Sequence, residues 1–335
     1  ALRQLSDLYV YNPGSAPLSV KLAFRKRGQP ESAPPLLTQV LQPKESRFFA
    51  DILGAAGFGR PNLSGFLVAT VEGDVLPLVT LFNTTFQGDL QFGQTIQGVP
   101  SDELTVPGGL GPTVPSLLQL IGLSDNAEQR AYFGLSNPGE TAATLRLKFF
   151  NGAGQPIGTP GEVVLSRLGQ RQYQLREIRE TFGVASQSDY RVQIETVSGG
   201  PVVPYAANLR VGSDDPAFIG ADLPLSSPAY LVGIFKSPGL NNSLWQSDLV
   251  VSNSNGQPLA FNLSFQAAGT QQPPTAKLAV TLQAGETRRL ADVLKTAWDL
   301  NNTVGVLIIE SATAGGLLPI VRAEVYDTSK PGSRF

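Results

Sequence analysis

Short runs of alternating apolar and polar residues follow one another along the chain, broken at close intervals by Gly, Pro, Asn and Ser. One run is written three times: Asp7-Leu-Tyr-Val-Tyr-Asn12-Pro-Gly14, Ala131-Tyr-Phe-Gly-Leu-Ser-Asn137-Pro-Gly139 and Asp248-Leu-Val-Val-Ser-Asn253-Ser-Asn-Gly256. Each is apolar until an Asn begins a tight turn, which predicts a strand running into a hairpin. A second alternating run follows every turn, at residues 18–24, 144–149 and 259–265.

Counting from the three Asn residues keeps the rest in register. A turn and strand lie at 41–47, 165–171 and 282–288, followed by a short segment of helical character. The acid at its start, Asp51, Glu177 or Asp292, falls 39, 40 and 39 residues after the Asn. Further strands are expected at 65–71, 190–196 and 305–310, then others around Pro77, Pro204 and Pro319, which lie 65, 67 and 66 residues after the Asn. Proline lacks a ladder donor, so each must mark a strand start, an edge or a bulge. Such constancy over unlike sequences indicates a repeated fold.

Runs this short and rich in Val, Ile, Phe and Thr favour strands over helices. The fold class expected is all-β: three tandem antiparallel β-sandwich domains, each with one short helical turn. The boundaries fall at 1–103, 104–226 and 227–335, with residues 92–100 and 218–224 reading as connections between domains. Runs at 114–121 and 229–235 open the second and third domains and have no counterpart in the first. The chain therefore reads as a window cut from a longer array, with an unpaired sheet edge near its N-terminus.

Composition narrows the chemistry. Apolar residues make up 41% of the chain and charged residues only 16%, against about a quarter in ordinary domains. A net charge of −2 offers no footprint for nucleic acid, and no apolar run is long enough to span a bilayer. The sequence contains no Cys, no His and no Met. Thiolate and imidazole metal sites and Cys or Ser-His nucleophiles are excluded. With no Met, the chain reads as a processed or excised product, and the three absences together suit a secreted protein.

The order of motifs is a strand ending in Asn-Pro-Gly, then Leu-x-Pro/Ala-Gly-Glu-x-Arg, Asp-Val-Leu, an edge strand and Phe-Gly-Gln-x-Ile-x-x-x-Pro. It resembles the tandem immunoglobulin-like β-sandwich repeats of large secreted or surface proteins of bacteria. The second copy departs most, with Arg167-Leu-Gly-Gln in place of the Ala-Gly-Glu pattern. The resemblance implies a structural or adhesive role and brings no catalytic residues.

Residue by residue, structural readings prevail. Asp51, Glu177 and Asp292 suit the exposed N–H groups at a helix start, and Arg47, Arg171 and Arg288 suit pairing with nearby acids. Phe58, Phe182 and Trp298 align as plugs closing one end of each sandwich. Trp245 reads as packing at a domain junction. Asp214, Asp215 and Asp222 are the best calcium candidates, but Asp-Asp before Pro216 is more often simply a solvated loop, and nothing resembles an EF-hand loop. Asn62, Asn83, Asn241, Asn262 and Asn301 match the glycosylation pattern. No catalytic residue, cofactor site or metal site is assigned.

The expected function is a non-enzymatic, extracellular structural protein: a subunit or segment of a surface fibre, filament or stalk. Its partners would be copies of itself stacked head-to-tail, or neighbouring repeats, with no nucleic acid and no membrane insertion. The alternative is a glycan-binding or adhesive accessory region, which an exposed aromatic platform at Trp245 or Tyr230 would favour. A carboxylate-only hydrolase would need two acids facing each other across a cleft.

Overall fold

The computed structural model describes residues 3–28, 34–54, 56–60, 63–87, 90–104, 117–212, 216–221, 226–270 and 272–329. They form three successive units of antiparallel strands, each around its own apolar cluster. The first comprises β1 (Arg3–Tyr11), β2 (Leu18–Lys26), β3 (Leu36–Leu41), β4 (Ser46–Phe49), β5 (Gly65–Val71), β6 (Leu78–Gln87) and β7 (Leu90–Gln97). One sheet has the order β4-β1-β6-β7 and the other β3-β2-β5. Leu8 and Val10 of β1 meet Val20, Leu22 and Phe24 of β2 in one buried cluster, so the two sheets close on each other.

The second unit repeats the plan with one strand more: β8 (Leu117–Asp125), β9 (Gln129–Ser136), β10 (Ala143–Phe150), β11 (Pro156–Leu165), β12 (Gln170–Tyr173), α1 (Leu175–Phe182), β13 (Gln187–Ser198), β14 (Val203–Arg210) and β15 (Pro216–Gly220). Its sheets are β12-β9-β14-β15 and β11-β10-β13-β8. The third contains β16 (Ala229–Pro238), β17 (Leu244–Ser252), β18 (Leu259–Ala267), β19 (Leu278–Leu282), β20 (Thr287–Leu290), α2 (Val293–Trp298), β21 (Thr303–Ser311) and β22 (Ile320–Asp327). Here β16 pairs with both β21 and β17, joining the two layers into one seven-stranded sheet.

The repeated Asn explains why the hairpins fold alike. Asn137 is fully buried; its Nδ2 donates to the carbonyls of Thr141 at 2.8 Å and Ser166 at 3.1 Å, and its Oδ1 accepts the Gly139 N–H at 2.9 Å. Asn12 and Asn253, also fully buried, make the matching bonds. One side chain thus supplies its own turn and the turn two strands later with partners that water cannot provide there. Pro77 and Pro319 immediately precede β6 and β22, and Pro204 is the second residue of β14, the strand-start position expected.

Three expectations are corrected. Of the segments read as connections, residues 92–97 and 218–220 belong to β7 and β15, which pair with β6 and β14, and residues 222–224 lie outside the described residues. The Gly and Gln content of residues 92–97 imitates a linker because an edge strand needs few apolar residues. The helical segment is a helix only in the second and third units; residues 50–53 of the first form turns. Finally, β1 is flanked on both sides by β4 and β6, so no open edge lies at the N-terminal strand.

The open edge is on β5. Among the described residues β5 pairs only with β2, whereas its counterparts β13 and β21 are covered by β8 and β16. Ala69 lies opposite the buried Leu22, on the core face, yet it is exposed. Its equivalents Ile194 and Ile309 have no exposed surface.

Candidate functional site

The residues brought together most tightly across the chain lie between the second and third units. They are carried by the outward face of the β20-β17-β22 sheet, whose inward residues Leu249 and Val251 are core. Outward-pointing Val250 of β17 and Ile320 of β22 form a separate buried cluster with Ile121 of β8. Gly122 makes the approach possible. It has φ +71, and a Cβ there would meet Arg322 Nη2 at 2.6 Å and a Val250 methyl at 3.1 Å.

Arg289 of β20 stands at the centre of the charges on this face. Its guanidinium reaches Asp189 of the second unit at 2.7 Å, Glu324 at 2.5 Å and Asp248 at 3.3 Å. Arg322 completes the group, 2.5 Å from Glu324 and 3.3 Å from the Gly122 carbonyl. Asp248 and Glu324 are buried, and Tyr326 and the Asp292 N–H donate to the second oxygen of Asp248. Burial works against the charge of Arg289, but Glu324 and Asp189 more than offset it and hold the proton more firmly than usual. Removing one member of such a set strands the others in low dielectric.

Beside this cluster, buried Arg191 lies over the Phe150 ring at 3.9 Å and donates to Gln119 at 2.7 Å and the Gly285 carbonyl at 3.3 Å. Burial lowers its pKa to about 10. The Thr287 N–H donates to the Gly152 carbonyl at 2.9 Å, closing the rim of the junction.

The junction between the first and second units uses the same sheet face but leaves an open cleft beside it. The loop after β2 meets β12 through a Gly28–Gln170 bridge, and Arg27 donates to Gln172 at 3.2 Å. Strand register makes Gln170 the counterpart of Thr287, and Arg27 the counterpart of Gly152. Both junctions therefore have a loop contact at this strand, through Gly152 in one and, one position further along, through Gly28 in the other. Here Tyr205 crosses Gly134, where a Cβ would lie 2.1 Å from the ring, and burial raises the pKa of the Tyr205 hydroxyl. Alongside is an open polar cleft of about 460 Å³, with Arg27, Gln170, Arg171, Gln172 and Glu177 on its walls.

That cleft lacks the carboxylate pair of a glycosidase. Glu177 is the single acid among its described lining residues, and its carboxylate accepts the Gln174 N–H at 2.9 Å. Among the described residues no group of three or more His, Cys, Asp or Glu is placed to hold a metal. Asp214, Asp215 and Asp222 lie outside the described residues, as does Asn62. No helix of the described residues is long and apolar enough to cross a membrane.

The aligned acids prove unlike. Glu177 is third in α1 and forms a capping box with Gln174, as expected. Asp292 precedes α2 in a left-handed conformation without a side-chain cap, and its carboxylate pairs with Lys236 at 2.6 Å. What recurs at Asp51 and Asp292 is the backbone: their N–H groups donate to Asp7 and Asp248, at 2.8 and 2.9 Å. Arg47 and Arg288 pair with Glu45 and Glu286, while Arg171 instead lies over the Tyr173 ring at 4.6 Å.

Phe58 and Phe182 are buried plugs. Trp298 is only half-buried; its indole N–H donates to the Ala276 carbonyl at 2.8 Å, a polar demand that keeps it at the rim. Trp245 is the second residue of β17, half-buried beside Gly239. Tyr230 is 61% exposed.

Sequence reasoning singled out none of Arg289, Asp189, Asp248 or Glu324. A signal for the junction was present in Leu249-Val-Val251 and Leu120-Ile121, where apolar residues occupy both faces of a strand. Only a strand covered on both sides holds such a run. Comparison with family models, curated protein sequences and solved structures finds no match to this chain.

Proposed function

We propose that this chain is a non-enzymatic structural segment of an extracellular stalk or surface filament, built from immunoglobulin-like repeats. The observation that carries the proposal is the junction between the second and third units. A flexible string of binding modules has no need to bury Val250, Ile320 and Ile121 against one another, nor to close an arginine on three acids from two units. Both features resist bending, which a load-bearing spacer requires. Immunogold labelling of producing cells is the test. Label along surface fibres or stalks is expected, and label confined to the cell interior would overturn the reading.

A second reading has one observation of its own. Tyr9 and Phe48 are about half exposed, with ring centroids 4.7 Å apart, and such a pair can stack on a sugar. Under this reading the chain is the adhesive region of a larger secreted protein. Glycan-array binding lost in Tyr9→Ala would support it.

A further inference from the structure

The sheet face that forms each internal junction is present in all three units, and in the first it is bare. Strand pairing fixes the equivalences. Tyr9 stands opposite Thr80 and Phe48 in the first unit, Gly134 opposite Tyr205 and Gln172 in the second, and Val250 opposite Arg322 and Arg289 in the third. Likewise Leu78 corresponds to Ile320, and Phe82 to Glu324. Val250 and Ile320 are 0% and 1% exposed beneath the second unit. Their counterparts Tyr9 and Leu78 are 47% and 63% exposed, with Phe48 at 50% and Phe82 at 36% beside them.

The opposite half of the junction is also repeated and also bare, at the other end of the chain. Leu120 of β8 pairs with Val192, and Leu231 of β16 pairs with Leu307, each on the core face. Ile121 and Gly122 therefore match Val232 and Gly233, and both glycines have positive φ, at +71 and +73. Gln119 matches Tyr230, and Asp189 matches Val304. Ile121 is fully buried under the third unit, whereas Val232 is 77% exposed and Val304 38%.

These two bare faces suit each other position by position. Where the internal junction sets Arg289 against Asp189, the end faces carry Phe48 and Val304. Where it sets Val250 and Ile320 against Ile121, they carry Tyr9 and Leu78 against Val232. An ion pair is replaced by an apolar pair on both sides at once. The glycine that permits close approach is kept.

We infer that the third unit of one copy docks on the first unit of another, reproducing the junction between units two and three. The occupant of the first unit's bare face is thus a second copy of this chain, gripping Tyr9, Phe48 and Leu78 with Val232, Gly233 and Val304. The contact is heterologous, so each copy added leaves a fresh face of each kind, and the assembly grows as an open filament. The inference deepens the structural reading above and rests on it.

The experiment is sedimentation velocity of the full chain across a range of concentrations, with Leu78→Asp and Val232→Asp. Both positions are exposed, so each variant keeps the wild-type thermal melt, measured by circular dichroism as the folding control. The wild type should give an open series of oligomers growing with concentration. Each variant alone should weaken association by about 30-fold or more, the loss of a central interface anchor. Mixed in equal amounts, the two variants should form a discrete 1:1 dimer, because each retains one intact face. A wild type that stays monomeric, a closed symmetric dimer, or association indifferent to both substitutions would overturn the stacking. A monomer whose antibody still labels surface stalks would remove the stacking and leave the structural reading standing.

Discussion

Replacing Arg289 with Met tests whether the junction between units two and three is held by its charges. The methionine keeps much of the aliphatic volume and removes the guanidinium. In the native structure that group satisfies Asp189, Glu324 and Asp248. After substitution Asp189, Glu324 and Asp248 lose this guanidinium, and two of the three are buried. Breaking a buried ion group by removing one partner costs about 3–5 kcal/mol. Taken as about 4, and with a urea dependence of about 2 kcal/mol/M for a unit of this size, the midpoint should fall by about 2 M.

The assay is specific to the unit, because both tryptophans of the chain, Trp245 and Trp298, lie in the third. Urea unfolding followed by tryptophan fluorescence therefore reports on that unit. The deficit arises from unmatched negative charge, so protonation relieves it. The folded variant takes up protons more readily than its unfolded chain, and the deficit should shrink as pH falls from 7 through the carboxylate range. A loss below about 1 kcal/mol at pH 7, or one that does not change with pH, would refute the reasoning.

Two further substitutions test the repeat itself. Asn137→Ala leaves the carbonyls of Thr141 and Ser166 and the N–H of Gly139 without their side-chain partner; a loss of about 2–4 kcal/mol is expected in the second unit, measured by hydrogen exchange of its core amides. Phe182→Ala empties a position in contact with Phe133, Phe149 and Tyr173 and should cost about 3–5 kcal/mol. Trp298→Ala, at a half-buried rim, should cost less than Phe182→Ala when both are measured by calorimetry.

The hairpins were legible because their information is local. An Asn that bonds two residues ahead, a Pro-Gly turn and a period of two are all written within about ten residues of each other. The junction was not legible, because its information is distributed. Arg289 meets Asp189 across 100 residues of sequence and Glu324 across 35, and no local pattern marks either partner. β7 and β15 were misread for a related reason: an edge strand is defined by its neighbour rather than by its own composition. The aligned acids misled in the opposite direction. Equal spacing from the Asn placed Asp51, Glu177 and Asp292 together, but a left-handed backbone at the two aspartates turns the same position to a different use.

The uncovered side of β5 carries a consequence for the order in which the chain acquires its shape. The first unit leaves the ribosome before β8 has been made, and during that interval Leu67 and Ala69 lie along an unclaimed margin. When β8 emerges, its Leu118 and Leu120, which in the finished molecule lie against Ile194 and Val192, fit that margin as well as their own. A chain that lets β8 add to β5 is trapped with its second unit a strand short, the misassembly to which tandem repeats are prone. The tight β8–β9 connection opposes this trap by tethering β8 to β9 of the second unit. Chain order thus acts as a timer, and the strand left bare in the finished molecule is also a hazard during synthesis.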